Sequence, residues 1–157
     1  MHRWPATIHP ADSPPILLPD LIVEQLEGDW KVRLEDLDIP SLRLSDHYLD
    51  LLADKNTSIV ERNFIQKQID SAKRFISSME KRQETLCRIA IEIMKAQRGF
   101  LDHGVQHLHA LRLQEIADAL GLHVSTVSNA ILDKHIKTPR GIFPLKYFVA
   151  VTAESND

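Results

Sequence analysis

The longest regular pattern in the chain is a seam of mostly apolar side chains between residues 57 and 101, whose members stand three or four positions apart. They are Ile65, Ile69, Ala72, Ile76, Met79, Gln83, Leu86, Ala90, Ile93 and Gln97. This spacing places side chains on one face of a helix. No proline interrupts the region, and Gly104 is a residue that readily ends a helix. The pattern favours a single long helix over a helical hairpin broken near Ser77 and Ser78.

A second pattern, the alternation of apolar and polar side chains between residues 20 and 35, predicts a β-hairpin with its turn at Gly28. The apolar positions are Leu21 and Val23 on the first arm and Trp30, Val32 and Leu34 on the second. Since a lone hairpin is marginally stable in water, we expect it to pack on the helices that follow. The proline-rich residues 1–15 are predicted to be a disordered arm, and a short helical stretch is predicted from Pro40.

A third pattern, in residues 113–132, has the spacing of a helix-turn-helix. Ala117 stands where two helices must approach closely, and Gly121 follows where the chain turns sharply and positive φ suits only glycine. The apolar positions of the small shared core are Ile116, Leu120, Leu122, Val127 and Ile131. The second helix is predicted to start near Val124. A helix of this kind fits the major groove of B-DNA and meets base edges there.

The composition is that of a globular protein of one domain or two small ones. Hydrophobic residues make up 43% of the 157 residues, which is enough apolar material for a core. No apolar run approaches the ~20 residues of a transmembrane helix, and the N-terminus lacks the apolar core of a signal peptide. We therefore expect no membrane partner. Cys87 is the single cysteine and cannot form an internal disulfide, so a reducing cytoplasm is expected.

The net charge of −3 conceals a segregation of charge along the chain. Residues 1–54 carry eleven acidic against four basic side chains, whereas residues 55–110 carry ten basic against six acidic ones. Residues 111–150 are also basic, with five against three. Because the field near DNA depends on local charge, the long helix and the helix-turn-helix are the better candidates for phosphate contact. The acidic first third is the better candidate for contact with a basic protein.

Candidates for a metal site or a catalytic site are few. His103 and His107 have the i, i+4 spacing of helical metal ligands, and His109 lies nearby, but Gly104 is expected to end the helix between them. No acidic or cysteine partner completes the set, so no metal site is predicted. Nucleophile–base–acid arrangements, glycine-rich phosphate loops and paired catalytic carboxylates are not visible. We therefore expect neither enzymatic activity nor a cofactor.

Beyond these patterns, residues 113–148 resemble the sigma-54 class of bacterial RNA polymerase sigma factors, which is the nitrogen-type, enhancer-dependent class. In that family the helix-turn-helix is followed by a segment like TPRGIFPLKYF at residues 138–148. Upstream, ILLPDLIVEQLEGDWKVRLED at residues 16–36 is similar to the family's Pro-Asp strand and hairpin. Residues 72–104 resemble the long helix that joins the family's core-polymerase-binding and DNA-binding regions. The resemblance covers most of the chain, with the elements in the family's order.

Together these features predict a mainly α fold, with a small β-hairpin and short helices, one long helix, and then a helix-turn-helix DNA-binding unit. The predicted division is a disordered arm (1–15), part of a core-polymerase-binding module (16–56), the long helix (57–104), the helix-turn-helix domain (105–150) and a tail (151–157).

The resemblance implies a sigma-54-type transcription initiation factor that binds core RNA polymerase and contacts promoter DNA through the helix-turn-helix. The family also has a glutamine-rich N-terminal segment, which communicates with an ATP-driven activator, and an arginine-rich box that follows the helix-turn-helix. Neither is found here, so a fragment or a truncated form is expected, and the activator would act only through parts absent from this chain. Two alternatives stay open on the same scaffold: a protein-docking module, and a small dimeric regulator without sequence-specific DNA readout.

The residues predicted to contact DNA lie on and after the second helix of the helix-turn-helix. Ser125, Ser128 and Asn129 would meet base edges, because serine both donates and accepts hydrogen bonds and asparagine bonds adenine bidentately. Val124 is available to a thymine methyl group. His123, just before the helix, is expected to cap it or to meet a phosphate, with capping favoured. The flanking cations predicted to contact phosphates are Lys134, Lys137, Arg140 and Lys146.

Two positions depart from the family's recognition helix, which resembles H-E-S-T-V-S-R: this chain has Val124 for the acidic residue and Asn129 for the arginine. An arginine that reads guanine supplies ~1–3 kcal/mol of discrimination, so the promoter readout is expected to be weaker or altered.

The basic side chains of the long helix have two interpretations. They form a stripe for DNA phosphates or for polymerase, or they form a solvated face partly paired with Glu80, Glu84 and Glu92. They are Lys73, Arg74, Lys81, Arg82, Arg88, Lys95 and Arg98.

Overall fold

The computed structural model of the protein describes residues 18–35 and 46–150, most of which are helical. The elements in chain order are β1 (Leu21–Leu26), β2 (Asp29–Leu34), α1 (Asp46–Ala53), α2 (Ile59–Ala96), α3 (Arg98–His103), a 3₁₀ turn (Val105–His107), α4 (Leu113–Leu120), α5 (Val124–Ile131), β3 (His135–Thr138), β4 (Gly141–Pro144) and α6 (Tyr147–Ala150). The predicted arm, the predicted tail and the predicted helix start at Pro40 lie outside the described residues. Within the described ranges, no helix is both long enough and apolar enough to cross a membrane.

The long helix predicted from the apolar seam is confirmed as α2, which continues unbroken through residues 77–78. It begins with a capping box, in which the Ser58 hydroxyl accepts from the backbone N–H of Glu61 at 3.2 Å and the Glu61 carboxylate accepts from the backbone N–H of Ser58 at 3.3 Å. Its 38 residues span ~57 Å at 1.5 Å per residue. The helix ends at Ala96, earlier than the seam predicts, because Gln97 leaves helical geometry at φ −100° and ψ 24° before α3 begins.

The seam of α2 is buried along two separate stretches. Near the start of the helix, Ile65 and Ile69 are buried on the part of α2 that begins beside α1. The C-terminal half buries a longer row, Leu86, Ile89, Ala90, Ile93 and Met94. The seam positions between the two stretches are only half-buried. The tertiary packing of the rest of the molecule is therefore concentrated on the C-terminal half of α2.

The predicted β-hairpin is confirmed as β1 and β2, which pair antiparallel with Val23 opposite Val32. Its two-residue turn holds Glu27 at φ 52° and Gly28 at φ 86°, and two successive positive φ values match the twist of the flanking strands. As expected, the hairpin packs on a following helix, since β2 lies against the C-terminal half of α2. The Trp30 indole N–H also donates to the Asp102 carboxylate of α3 at 2.8 Å.

A second hairpin, β3 and β4, was not predicted from the sequence, because each strand has only four residues and shows no recognisable alternation. β3 pairs antiparallel with β4 and parallel with β1, where Leu21 lies opposite Ile136, so the sheet has the order β2-β1-β3-β4. The Asp20 carboxylate reinforces this junction by accepting from the backbone N–H of His135 at 2.9 Å. A hydrogen-bonded sheet thus joins the segments 16–56 and 105–150 of the predicted division.

One hydrophobic cluster connects the sheet, the C-terminal half of α2, α3, the helix-turn-helix and α6. Phe100 and Phe148 are its largest fully buried side chains. The Phe100 ring meets Phe143 and Phe148 edge to face, with ring centroids 5.5 and 5.3 Å apart, which is a favourable arrangement for aromatic pairs. These rings pack α3 against β4 and α6.

Candidate nucleic-acid interface

The helix-turn-helix predicted from the sequence is formed by α4 and α5. Ala117 of α4 and Val127 of α5 are both fully buried. Between the helices, Gly121 adopts a left-handed conformation with φ 67° and ψ 33°, and the N–H of Leu122 donates to the Ala117 carbonyl at 2.9 Å. This hydrogen bond closes the end of α4 in the manner typical of a C-terminal glycine. The predicted structural roles of Ala117 and Gly121 are therefore confirmed.

The helix α5 presents a buried face and an exposed face. Val127 and Ile131 are buried in the core, whereas Ser125, Ser128 and Asn129 are exposed. The three polar side chains that the sequence assigns to base contact therefore share the solvent side of a helix. An exposed helix of this size has the dimensions to enter the major groove of B-DNA.

The start of α5 differs from the prediction in one detail. His123 occupies the N-cap position with an extended backbone, but its imidazole makes no capping hydrogen bond. The His123 carbonyl instead begins the helix by accepting from the N–H groups of Thr126 and Val127 at 3.0 and 3.2 Å. The favoured role of the imidazole as a cap is therefore wrong, and the side chain is exposed to solvent. Val124, the next residue, is half-buried.

A groove of about 740 Å³ lies between α5 and the middle of α2, and we call it the α2–α5 groove. Lys81 and Arg82 of α2 lie along it with Asn129 of α5 and the following Lys134. Its full lining is Ser78, Lys81, Arg82, Thr85, Leu86, Thr126, Asn129, Ala130 and Lys134. Among these described residues there are three cations and no carboxylate, so the groove is a positively charged strip beside the exposed face of α5. Lys81 and Arg82, whose role the sequence left open, are thereby placed next to the helix that carries the polar residues.

Lys134 has a weak ionic partner that leaves it accessible to a ligand. Its ammonium nitrogen lies 4.0 Å from a carboxylate oxygen of Asp20, and its side chain is 43% exposed. A pair of this length in contact with solvent contributes little to stability and is screened by salt. The same Asp20 carboxylate is also engaged by the backbone N–H of His135. A phosphate approaching the groove would therefore meet an available Lys134 ammonium.

The other three flanking cations occupy different places. Arg140 is exposed, yet its guanidinium donates to the Asp102 carbonyl at 3.3 Å and lies over Gly104 at the end of α3. A guanidinium at a helix C-terminus is favourable, because the last carbonyl groups lack partners within the helix. Lys137 on β3 and Lys146 after β4 are exposed. The structure thus places the exposed Arg140 at the end of α3, while Lys137 and Lys146 are exposed elsewhere on the surface.

The histidines and the cysteine considered from the sequence show no constellation that suggests a metal site. The rings of His103 and His107 lie 5.1 Å apart. In residues 18–35 and 46–150, no group of three or more His, Cys, Asp or Glu side chains is placed to hold a metal ion.

Cys87 is half-buried on α2, and burial raises the pKa of its thiol, so the thiol stays protonated at neutral pH.

Comparison with known sequences matches residues 62–157 to the family described as the sigma-54 DNA-binding domain. The RNA polymerase sigma-54 factor of Pseudomonas putida is 40% identical over 138 residues, which cover 88% of this chain and 28% of that protein. The factor of the same name from Caulobacter vibrioides is 35% identical over 154 residues, covering 98% of this chain and 31% of that protein. The chain therefore spans less than a third of the length of these relatives.

Comparison with solved structures finds a similar fold in a crystal structure of Aquifex aeolicus sigmaN bound to promoter DNA. The TM-score is 0.65 with 25% sequence identity, over 84% of this chain and 39% of that one. The similar fold thus covers most of this chain but less than half of that one.

Proposed function

The chain belongs to the sigma-54 DNA-binding domain family, and we propose that it acts as the promoter-contacting part of a sigma-54-type transcription initiation factor. The observation that carries this proposal is the exposed polar face of α5 beside the positively charged α2–α5 groove. Polar side chains on a helix can read bases, and cations alongside can hold the phosphate backbone on either side of the reading helix. The Aquifex aeolicus protein with a similar fold is bound to promoter DNA, which supports a DNA-binding role for this chain.

The residues of the site form two groups that differ in their chemistry. Ser125, Ser128 and Asn129 contact base edges, and Val124 contacts a thymine methyl group. A second set contacts phosphates and fixes the position of α5 on the duplex. This set comprises His123, Lys81, Arg82, Lys134, Lys137, Arg140 and Lys146.

We further propose that the acidic segment 16–56 contributes to binding core RNA polymerase and that segment 105–150 is the DNA-binding domain. Segment 57–104 is the long helical connection between them. The charge segregation supports this division, because the acidic residues of the first third would repel DNA phosphates. The proposed place of action is the bacterial cytoplasm, and the role requires no catalytic step by this chain.

The decisive experiment measures binding of the chain to a sigma-54-type promoter duplex and to a scrambled duplex of equal length, beside a pull-down of core RNA polymerase. We expect weak binding to DNA with preference for the promoter, and retention of core polymerase. Retention of polymerase without any binding to DNA at low salt would instead favour the protein-docking alternative. Binding as a dimer with equal affinity for both duplexes would favour the small dimeric regulator.

Asn129→Arg is expected to strengthen binding to the promoter duplex by about 1–3 kcal/mol more than binding to the scrambled duplex. Asn129 is exposed on α5 and borders the α2–α5 groove. An arginine there provides a planar fork that matches the acceptor pair of guanine, which asparagine cannot offer. Fluorescence anisotropy titrations on both duplexes would measure the difference.

The matched control for this prediction is Asn129→Lys, which adds the same charge without the planar fork. We expect the lysine variant to strengthen binding to both duplexes with a smaller preference for the promoter, because an ammonium donates to guanine without the fixed geometry of the fork. If the arginine variant tightens binding to both duplexes equally, only its charge matters and residue 129 does not read bases. If neither variant changes either affinity, Asn129 lies outside the DNA interface.

A further inference from the structure

Gln97 is the largest polar side chain that is completely buried among the described residues. It stands at the break between α2 and α3, where its backbone leaves helical geometry. Burial of an amide is unfavourable unless its hydrogen bonds are replaced. The position of Gln97 at a joint, together with its complete burial, indicates that its hydrogen bonds have a specific structural task.

The side chain of Gln97 joins two chain segments that flank the helix-turn-helix. Its amide nitrogen donates to the His109 carbonyl at 2.8 Å and to the Phe148 carbonyl at 3.1 Å. Its amide oxygen accepts from the backbone N–H of His109 at 2.8 Å. His109 lies just before α4, and Phe148 lies in α6 after the second hairpin. One side chain therefore fastens the entry to the helix-turn-helix and the segment after β4 to the end of α2.

These hydrogen bonds add a directional constraint that the apolar packing lacks. The helix-turn-helix otherwise meets α2 through apolar side chains such as Ile93, Ile116 and Val127. Apolar attraction depends on buried area and tolerates small rotations and shifts. Hydrogen bonds weaken steeply with angle and distance, so three of them to one amide fix both the separation and the angle between the joined segments.

We propose that Gln97 is a positioning residue that sets the orientation of the helix-turn-helix relative to the long helix, and thereby the alignment of α5 with the cations of α2. The inference rests on the proposed function, because Lys81 and Arg82 can share a duplex with α5 only when the two helices keep their relative orientation. Gln97 itself is buried and touches no DNA.

The test uses the full chain with two variants of Gln97. Gln97→Met matches the length of the side chain and removes all three hydrogen bonds. Gln97→Glu keeps the acceptor for the His109 N–H but replaces the amide nitrogen, which donates two hydrogen bonds, with a carboxyl oxygen that donates one at most, when protonated. Spin labels are placed at Lys73→Cys on α2 and Ala119→Cys on α4, both exposed positions, in a Cys87→Ala background. Pulsed electron spin resonance then gives the distribution of distances between the long helix and the helix-turn-helix.

We expect one narrow distance distribution for the unchanged Gln97, and a broadened or shifted one for both variants with cooperative unfolding preserved. The dissociation constant for the promoter duplex should rise about tenfold, because misalignment of α5 with the cations of α2 loses at least one phosphate contact, and one contact is worth roughly that factor at about 0.1 M salt. Ile93→Val is the control, because it removes a buried methyl group from the same interface without touching the amide. It should lower the melting temperature while leaving the distance distribution and DNA affinity unchanged.

An unaltered distance distribution in both Gln97 variants would overturn the inference, and so would the loss of cooperative unfolding in both, since Gln97 would then serve folding in general. A broadened distribution in the Ile93→Val control would also overturn it, because orientation would then follow stability alone. If the chain with Gln97 intact binds no promoter duplex, the proposed function fails, whereas the distance measurement still decides the role of Gln97.

Discussion

Phe100→Ala is expected to lower the free energy of unfolding by about 3–5 kcal/mol. The Phe100 ring is fully buried, and its edge contacts with Phe143 and Phe148 would be lost. The resulting cavity would lie where α3 meets β4 and α6, and close-packed surroundings relax only partly into such a space. Thermal unfolding followed by circular dichroism should show a melting temperature lower by roughly 10 °C.

The chain offers a matched control for this loss in Phe64, which lies on α2 and is 61% exposed. Phe64→Ala makes the same chemical change without opening a cavity, so its effect should stay within about 0.5 kcal/mol. Similar destabilisation in the two variants would contradict the assignment of Phe100 to the shared core. It would mean that the contacts of α3 with β4 and α6 contribute little to the folded state.

The second large effect is expected when Lys81, Arg82 and Lys134 are all replaced by alanine. If each cation of the α2–α5 groove neutralises one phosphate, the slope of log K against log salt should flatten by about 2.7, at −0.9 per contact for B-DNA. The affinity for the promoter duplex at about 0.1 M salt should fall on the order of a hundredfold or more. Anisotropy titrations between about 50 and 200 mM salt would give both quantities.

Lys55, Lys67 and Lys73 provide the control for this triple variant, since they are exposed and precede the groove along the chain. Replacing these three lysines with alanine removes the same net charge. Lys73, the last of them, precedes Lys81 by eight residues, or ~12 Å along α2 at 1.5 Å per residue, which exceeds the screening length of ~10 Å. We expect their loss to leave the salt slope nearly unchanged. Equal flattening in the two triple variants would show that overall charge, and not the groove, governs binding.

The elements that the sequence predicted correctly are those whose signal is local. The seam from Ile65 to Ile93 repeats at the helical period, so α2 was recognisable without any knowledge of its partners. The small residue at Ala117 and the glycine at Gly121 likewise stand at fixed positions within a single helix-turn-helix. The β1–β2 hairpin was recognisable for the same reason, because alternation and a turn glycine lie within one short segment.

Only part of the candidate site could be predicted from the sequence. Helical periodicity placed Ser125, Ser128 and Asn129 opposite the buried Val127 and Ile131, as the structure has them. The cations of the groove could not be identified in this way. In the sequence, Lys81 and Arg82 have the same character as Lys73 and Arg74 on the same helix, and only the packing of α5 against α2 distinguishes the two pairs.

The sequence by itself was enough to predict the long helix, the two helices of the helix-turn-helix with the turn between them, and which side of α5 stays polar. These properties depend on side chains within one or two turns of each other, whose spacing is written directly in the chain. Only the tertiary structure decided that β1 pairs with β3, that Gln97 ends α2 and fastens the DNA-binding domain, and that the groove cations stand beside α5. These features join residues far apart in sequence, and they form because the whole core must be buried and every buried polar group must find a partner.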